Sequence, residues 1–517
     1  MERKKELGSF YTPSILADWI VRRVLSQKTI QSVLEPSCGD GVFLSSLSSR
    51  GLALDITAID IDGDAIDKVD KKFPYIKIYN KDFLFCDLNK EFDLVIGNPP
   101  YISKKSISSQ QIEKCRDIHI HNGLENREIS NIWTAFVIKS CLLVNSEGVL
   151  SFVLPAEFLQ VKYAKEIRNF IVSNFARVEV LSFRNFRFEN TEQNTIVLIA
   201  YKSTSQDSGV FFKEFNSIVE LKDDISFQKS FLDSDMKWTA NCLTEEELGL
   251  IKKIQNNNNV KKIEDYCTAV AGIVTAANSY FIVNKDTVLE YNLENYIKPI
   301  IQKGYFVNGN VSFNKVHFQK LKHSNLPCFL LDLSNIPEQN FTLGLQNYLQ
   351  QGLQQNIDKR YKCLQRTRWY DVPAIWNSEG FFFKRSDKYP KMLVNESNVY
   401  ITDSAYRIKM KKTYTIKNLT YCFYNTYTLL MAEIMGRSYG GGVLELTPNE
   451  FKSLPIIYWD GKINFNKFSR QFSEKKDIVD ILQKNDEVIL KNKLNLTQKE
   501  ITLLQQAYKR LKERRTL

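Results

Sequence analysis

The sequence predicts an α/β protein: a doubly wound sheet over its first half, then an irregular α+β domain, then a C-terminal helical segment. Three observations lead there. Short apolar runs alternate with helical patterns over the first 200 residues, as strands joined by crossover helices do. A glycine-bearing loop, "SCGDG", separates the first of those runs from a helical pattern. The alternation stops at about residue 203, and the chain becomes aromatic-rich and irregular. The expected divisions are residues 1–240, 241–460 and 461–517.

The elements follow in order. "TPSILADWIVRRVL" reads as a helix with Thr12 as N-cap and Pro13 at the first helical position, where a missing N–H costs nothing. "SVLEPS" is a short strand, "GVFLSSLSSRG" a helix closed by Gly51, and "DITAIDID" a second strand. "KIYNKDFL", "FDLVIGNPP", "GVLSFVLP", "ARVEVLSF" and "NTIVLIAYK" continue the strand series, with helical patterns such as "IWTAFVIKSCLLV" between several of them. A sheet so built binds its ligand at the C-terminal ends of its strands. "STSQDSG" and "IQNNNNVKK" are polar breaks, and "TEEELGLIKKI" between them is a connecting helix. At the end, Thr497 and Glu500 form a capping box, followed by an apolar stripe of Ile501, Leu504, Tyr508 and Leu511.

Composition narrows the function classes. No apolar run approaches the length that crosses a bilayer, and the charged start "MERKKELGSFYTP" lacks the apolar core of a signal peptide. Nine cysteines stand singly, with no C-x-x-C pair, which implies reduced thiols in a cytoplasmic protein and no zinc site. His119 and His121 alternate without cysteine partners and read as polar side chains facing solvent, so no metal is expected. The formal net charge of +11 suits a polyanionic partner without requiring one.

The chemistry concentrates at strand ends. Gly39 and Gly41 let the backbone bend and approach a ligand at a helix N-terminus. Asp60 ends the next strand about 20 residues on, where an acid can hold a ribose diol. After the third strand come Asp82, which can accept from an adenine amino group, and Phe83, which can stack. The fourth strand ends in Asn98-Pro99-Pro100-Tyr101. An aromatic amine is a poor nucleophile because its lone pair is conjugated into the ring. The Asn98 side-chain carbonyl and the Pro99 backbone carbonyl could hold both N–H bonds and favour a tetrahedral nitrogen. The prolines keep the turn rigid, and Tyr101 offers a stacking face. Any one of these residues alone reads as a cap or turn residue; four successive strand ends with suitable chemistry favour a site.

"GSFYTP", "VLEPSCGDGVFL", "AIDID", "KDF" and "FDLVIGNPPY" stand in the order found in gamma-group N6-adenine DNA methyltransferases of restriction–modification systems, which this chain resembles. The resemblance covers residues 8–200. "GIVTAANSYFIV" and "YGGGVLELTPNEFKSLPI" resemble pieces of that family's target-recognition region. It implies a Rossmann-like methyltransferase sheet and S-adenosylmethionine as cofactor. Tyr11, Thr12, Pro13, Glu35, Pro36 and Gly39 would surround the methionine part, Asp60 the ribose, and Asp82 and Phe83 the adenine. Asn98, Pro99, Pro100 and Tyr101 would form the catalytic turn. Phe188 would be a second aromatic against the flipped base, with Phe183 and Phe186 close by in register. The expected reaction moves a methyl group to N6 of an adenine extruded from duplex DNA, protecting host DNA from a cognate endonuclease. N4 of cytosine could use the same turn.

Arg366, Arg368 and Trp369 in "QRTRWY", with Lys384 and Arg385 in "FFFKRSDKYPK", are candidate DNA contacts, since cations beside aromatics suit phosphates and bases. A solvated face near a small core would look the same. A cytoplasmic monomer without membrane contact is expected. The chain is expected not to cut DNA itself, because its motifs begin by Gly8 and no Asp…Glu-x-Lys cluster is evident; any endonuclease would be a separate chain. Methylation of an RNA base or a protein glutamine, and a catalytically silent specificity subunit, are the alternatives. Neither of those methylations needs the long second half, and the intact motifs speak against a silent subunit.

Overall fold

A computed structural model describes residues 12–516, apart from 126, 188–193, 374 and 440. Tyr11 and Phe188 therefore lie outside the described residues. The chain forms two compact units, Met1–Glu245 and Glu246–Leu517.

The first unit is built on a nine-stranded sheet. Its strands are β1 (Ser32–Glu35), β2 (Asp55–Asp60), β3 (Lys77–Asn80), β4 (Phe92–Gly97), β5 (Val144–Pro155), β6 (Arg177–Arg187), β7 (Asn194–Tyr201), β8 (Gly209–Phe215) and β9 (Gln228–Lys229), in the order β3-β2-β1-β4-β5-β7-β6-β8-β9. β1 to β5 pair in parallel, while β7 runs antiparallel between β5 and β6. The strand order reverses between β1 and β4, and a doubly wound sheet opens its ligand crevice at that reversal. β4 is buried along almost its whole length, as a central parallel strand covered on both faces must be; β3, at the edge, is mostly exposed.

Helices α1 (Ser14–Gln27), α2 (Val42–Ser48), α3 (Gly63–Lys72), α4 (Ser109–His121), α5 (Trp133–Leu142) and α6 (Ala164–Asn174) belong to the same unit. α5 is buried on nearly all sides, which explains its lack of a polar face in the sequence. Trp19, Trp133, Phe43, Phe83, Phe92, Phe152 and Phe158 are among the largest fully buried side chains of this core. The start of α1 differs from expectation. Pro13 is the cap residue and the helix begins at Ser14, with no side-chain cap bond. Thr12 is buried instead, and its hydroxyl makes no hydrogen bond to the helix.

The second unit contains a five-stranded sheet, a four-stranded sheet and two smaller ones, built from strands of two to six residues. Helix Gln498–Thr516 buries the expected stripe of Ile501, Leu504, Tyr508 and Leu511. Its capping box is present: Glu500 Oε2 accepts from Thr497 N at 2.8 Å, and Thr497 Oγ1 from Glu500 N at 3.3 Å. This helix packs on helix Thr426–Met435, so the residues after 460 are part of the second unit's body. Among the described residues no helix is long and apolar enough to cross a membrane.

Candidate active site

A cavity of about 270 Å³ opens at the strand reversal of the first unit. The end of β1 supplies Glu35, Pro36, Ser37, Cys38 and Gly39; β2 supplies Asp60 and Ile61; β3 is followed by Lys81, Asp82 and Phe83; β4 is followed by Asn98 and Pro100. Thr12, ahead of α1, lines it as well.

The glycine loop is shaped by backbone and acid together. Gly39 and Gly41 have φ of 52° and 75°, the left-handed region that side chains disfavour. A Cβ on Gly41 would stand 3.2 Å from both Phe73 and Val69, whereas one on Gly39 would meet nothing within 4 Å. Gly41 is thus a packing requirement and Gly39 faces open space. Asp60 fixes the loop: its Oδ2 accepts from Gly39 N at 2.7 Å and its Oδ1 from Asp62 N at 2.9 Å.

The acids of the cavity differ in environment. Glu35 is fully buried; burial, then Asp60 and Asp40 nearby, push its pKa well above the usual carboxylate range. Burial also raises Asp60, against hydrogen bonds from the backbone of Asp62 and Gly39. Asp82 accepts from Leu84 N at 2.9 Å and from Gln111 Nε2 at 2.8 Å, while Gln111 Oε1 accepts from Ser108 N at 3.3 Å at the start of α4. Phe83 packs on Phe136, ring centroids 5.1 Å apart. Lys139 Nζ donates to the carbonyls of Phe83, Leu84 and Cys86 at 2.7, 3.1 and 2.5 Å, which pins the loop carrying Asp82 and Phe83.

The turn after β4 is tethered at both ends. Ser37 Oγ donates to the Asn98 backbone carbonyl at 3.1 Å, and the Tyr101 hydroxyl donates to Val153 O on β5 at 3.0 Å. Tyr101 and Pro99 are buried, whereas Asn98 and Pro100 face the cavity.

Known proteins resemble this chain over both units. The family described as Eco57I restriction-modification methylase matches residues 46–188, and the C-terminal domain of Type II methyltransferase M.Eco57I matches residues 235–490. The chain belongs to the restriction–modification DNA methyltransferases. Type II methyltransferase M.AccI of Acinetobacter calcoaceticus is 25% identical over 87% of this chain and 85% of its own. M.HincII of Haemophilus influenzae is 30% identical over 38% of each chain. Among solved structures, the type IIL enzyme MmeI in complex with DNA shares the fold with a TM-score of 0.58 at 12% identity, covering 99% of this chain and 76% of that one.

The cofactor of this methyltransferase is S-adenosylmethionine, and the cavity fits it. S-adenosylmethionine carries a sulfonium and an ammonium, and the cavity gathers Glu35, Asp40, Asp60 and Asp82. Glu35 Oε2 and Thr12 Oγ1 are buried without a hydrogen-bond partner, polar atoms that a polar ligand would satisfy. Phe83, Phe136 and Ile61 supply apolar walls for a ring. When bound, the cofactor supplies an electrophilic methyl group.

Of the residues expected at this site, Thr12, Glu35, Pro36, Gly39, Asp60, Asp82, Phe83, Asn98 and Pro100 line one cavity. Sequence reasoning missed Ile61, Gln111 and Phe136. Ile61 stood beside Asp60 in "AIDID" and was findable. Gln111 was hidden in a capping box, and Phe136 resembles any core residue of a buried helix.

The stretch "QRTRWY" is engaged with the second unit's own carbonyls and rings. Arg366 donates to Thr275 O at 2.8 Å and Trp369 O at 3.1 Å, and burial lowers its pKa. Arg368 holds Asp371 at 2.8 Å, Ile336 O at 2.9 Å and Leu333 O at 2.8 Å. Trp369 packs against Tyr280, centroids 5.6 Å apart, so these side chains brace the second unit's core. Arg385 is exposed and paired with Glu445 at 2.9 Å; Lys384 Nζ stands 5.4 Å from the Tyr406 ring centroid.

Proposed function

We propose that this methyltransferase transfers the methyl group of S-adenosylmethionine to N6 of an adenine flipped out of duplex DNA, one adenine per recognised strand sequence, protecting that DNA from a cognate endonuclease. The observation that carries the reading is one cavity shared by Asn98 and Pro100 with Glu35 and Asp60. An amide able to accept from an amine thus stands beside acids suited to a cationic methyl donor. The Asn98 side-chain carbonyl and the Pro99 carbonyl take the two N–H bonds of the target amine and draw its nitrogen toward tetrahedral. The tethers from Ser37 and Tyr101 hold that turn in place before the base arrives, so little reorganisation is left for the reacting state. Glu35 and Asp40 hold the cationic end of the cofactor, Asp60 the ribose, and Asp82 with Phe83 the adenine. Tyr101, buried and tied to Val153, braces the turn from behind, and the second unit selects the DNA sequence. The choice of adenine rests on the resemblance of the ordered motifs to the gamma group.

The test is nucleoside mass spectrometry of plasmid DNA from a methylation-free host expressing this chain. N6-methyladenine is the expected product. Methylcytosine as the sole modified base would overturn the adenine assignment, and label in protein or RNA with none in DNA would overturn the substrate.

A further inference from the structure

In the second unit, residues 359–364 present an unusual combination. Tyr361 and Leu364 are 75% and 67% exposed, although both are large and apolar. Lys359, Arg360 and Lys362 stand exposed between and beside them. Between the two exposed side chains, Cys363 is fully buried in the unit's core, and Ile357 is buried just before them. The turn is therefore anchored from below and projects its apolar tips outward.

Neighbouring backbone is built around the same turn. Arg360 donates to the carbonyl of Ala276 at 3.2 Å, and Ala276 itself has φ of 70°, a conformation that an alanine adopts at a cost. A depression of about 440 Å³ lies alongside, lined by Thr275, Asn278, Arg360, Tyr361, Lys362 and Asp403. Asp403 is an acid on its wall, and Asp358 precedes the turn, against three cations. Among the described residues, no carboxylate forms an ion pair with Lys359 or Lys362.

We infer that this turn is a contact surface for duplex DNA: Lys359, Arg360 and Lys362 on phosphates, Tyr361 and Leu364 against a groove wall. Charge complementarity selects the partner. A polyanion satisfies three cations at once and releases counterions, while a projecting ring and an aliphatic tip suit base edges and sugars. An acidic protein would meet the cations but has no groove for both tips. The inference rests on the DNA reading above and adds to it residues outside "QRTRWY".

The experiment uses the full chain and a fluorophore-labelled duplex oligonucleotide, with affinity measured across a salt series. Lys359→Gln/Lys362→Gln should make the salt dependence shallower by about 2 in log–log slope, roughly one per phosphate given up. Tyr361→Ala should lower affinity roughly tenfold at fixed salt with the slope unchanged. Both variants should keep the wild-type affinity for S-adenosylmethionine and the wild-type thermal midpoint, which places the defect at the DNA surface and not in the fold. An unchanged slope and affinity in variants of a chain that does methylate DNA would overturn this inference and leave the proposed function standing. A wild-type chain that neither binds nor methylates duplex DNA would overturn both.

Discussion

Glu35 gives the active site a pH dependence. Its folded-state pKa lies above the ordinary carboxylate value near 4.3, so the folded protein holds the proton more tightly than the unfolded chain does. The stability this group confers is fullest below the unfolded pKa and is lost as pH rises through the folded one. A bound cation favours the carboxylate, so cofactor binding should release a proton and strengthen as pH rises through that window; Asp60, also raised, adds to the slope. Calorimetry in two buffers of different ionisation enthalpy measures the release. Glu35→Gln should weaken S-adenosylmethionine binding roughly tenfold or more and make the pH slope shallower, while the cofactor-free variant unfolds at a higher temperature. Cofactor affinity with the wild-type pH slope would remove Glu35 from the cationic site. Asn98→Ala should separate cleanly from this: cofactor and DNA still bind, and turnover falls by roughly 10² or more, because the hydrogen bond it removes acts in the reacting state. Near-normal turnover would remove the amine clamp. At this scale the lining of the cavity was legible wherever a polar residue stood at or just after a strand end, as at Glu35, Asp60, Asp82 and Asn98. The sequence was illegible where one residue type has two uses. Thr12 looks like an N-cap and instead lines the cavity with its hydroxyl buried; Arg366 and Arg368 look like free cations and are engaged with backbone carbonyls.

Elements read well where periodicity is long. β1 to β7 and α1, α2 and α5 lie where apolar runs and helical spacing put them, and the last helix begins at its capping box. The two-residue strands of the second unit, such as Ser312–Phe313 and Tyr400–Ile401, carry no period at all; they exist because partners far away in sequence pair with them. The final helix shows what such a unit needs in return. Arg515, near its end, reaches Glu433 at 2.7 and 2.8 Å with both side chains only 2% exposed, and donates also to Asp387 O at 2.7 Å and to Gly442 O. Removing one partner of a buried pair strands the other charge. Arg515→Ala is expected to cost about 3–5 kcal/mol in chemical denaturation, and Arg515→Met with Glu433→Leu to recover much of it. A single variant within about 0.5 kcal/mol of wild type would mean that the last turn is not part of the cooperative unit.

On the scale of the whole molecule, the change from βα alternation to irregular aromatic-rich sequence marks two bodies. Each has a core of its own: one runs from Leu16 to Trp238, the other gathers Ile273 to Ala405. The cavity lies wholly within the first unit, lined by residues from Thr12 to Phe136. A fragment ending at residue 245 is therefore expected to fold and to bind S-adenosylmethionine with the affinity of the full chain, since none of the lining is removed. Sequence-selective DNA binding is expected to need residues 246–517, because short strands and loops there display varied side chains on a fixed frame, whereas Glu35, Asp60, Asp82 and Asn98 of the sheet unit converge on the lining of one cavity. Transfer of a labelled methyl group to plasmid DNA should then require both units in one chain. Two measurements decide it: calorimetry of the fragment with S-adenosylmethionine, and sequencing of the positions that the fragment and the full chain select from a random duplex pool. Cofactor affinity lost in the fragment would mean that the second unit completes the site. The same selected sequence from both proteins would place recognition in the first unit, and the division of labour would fall.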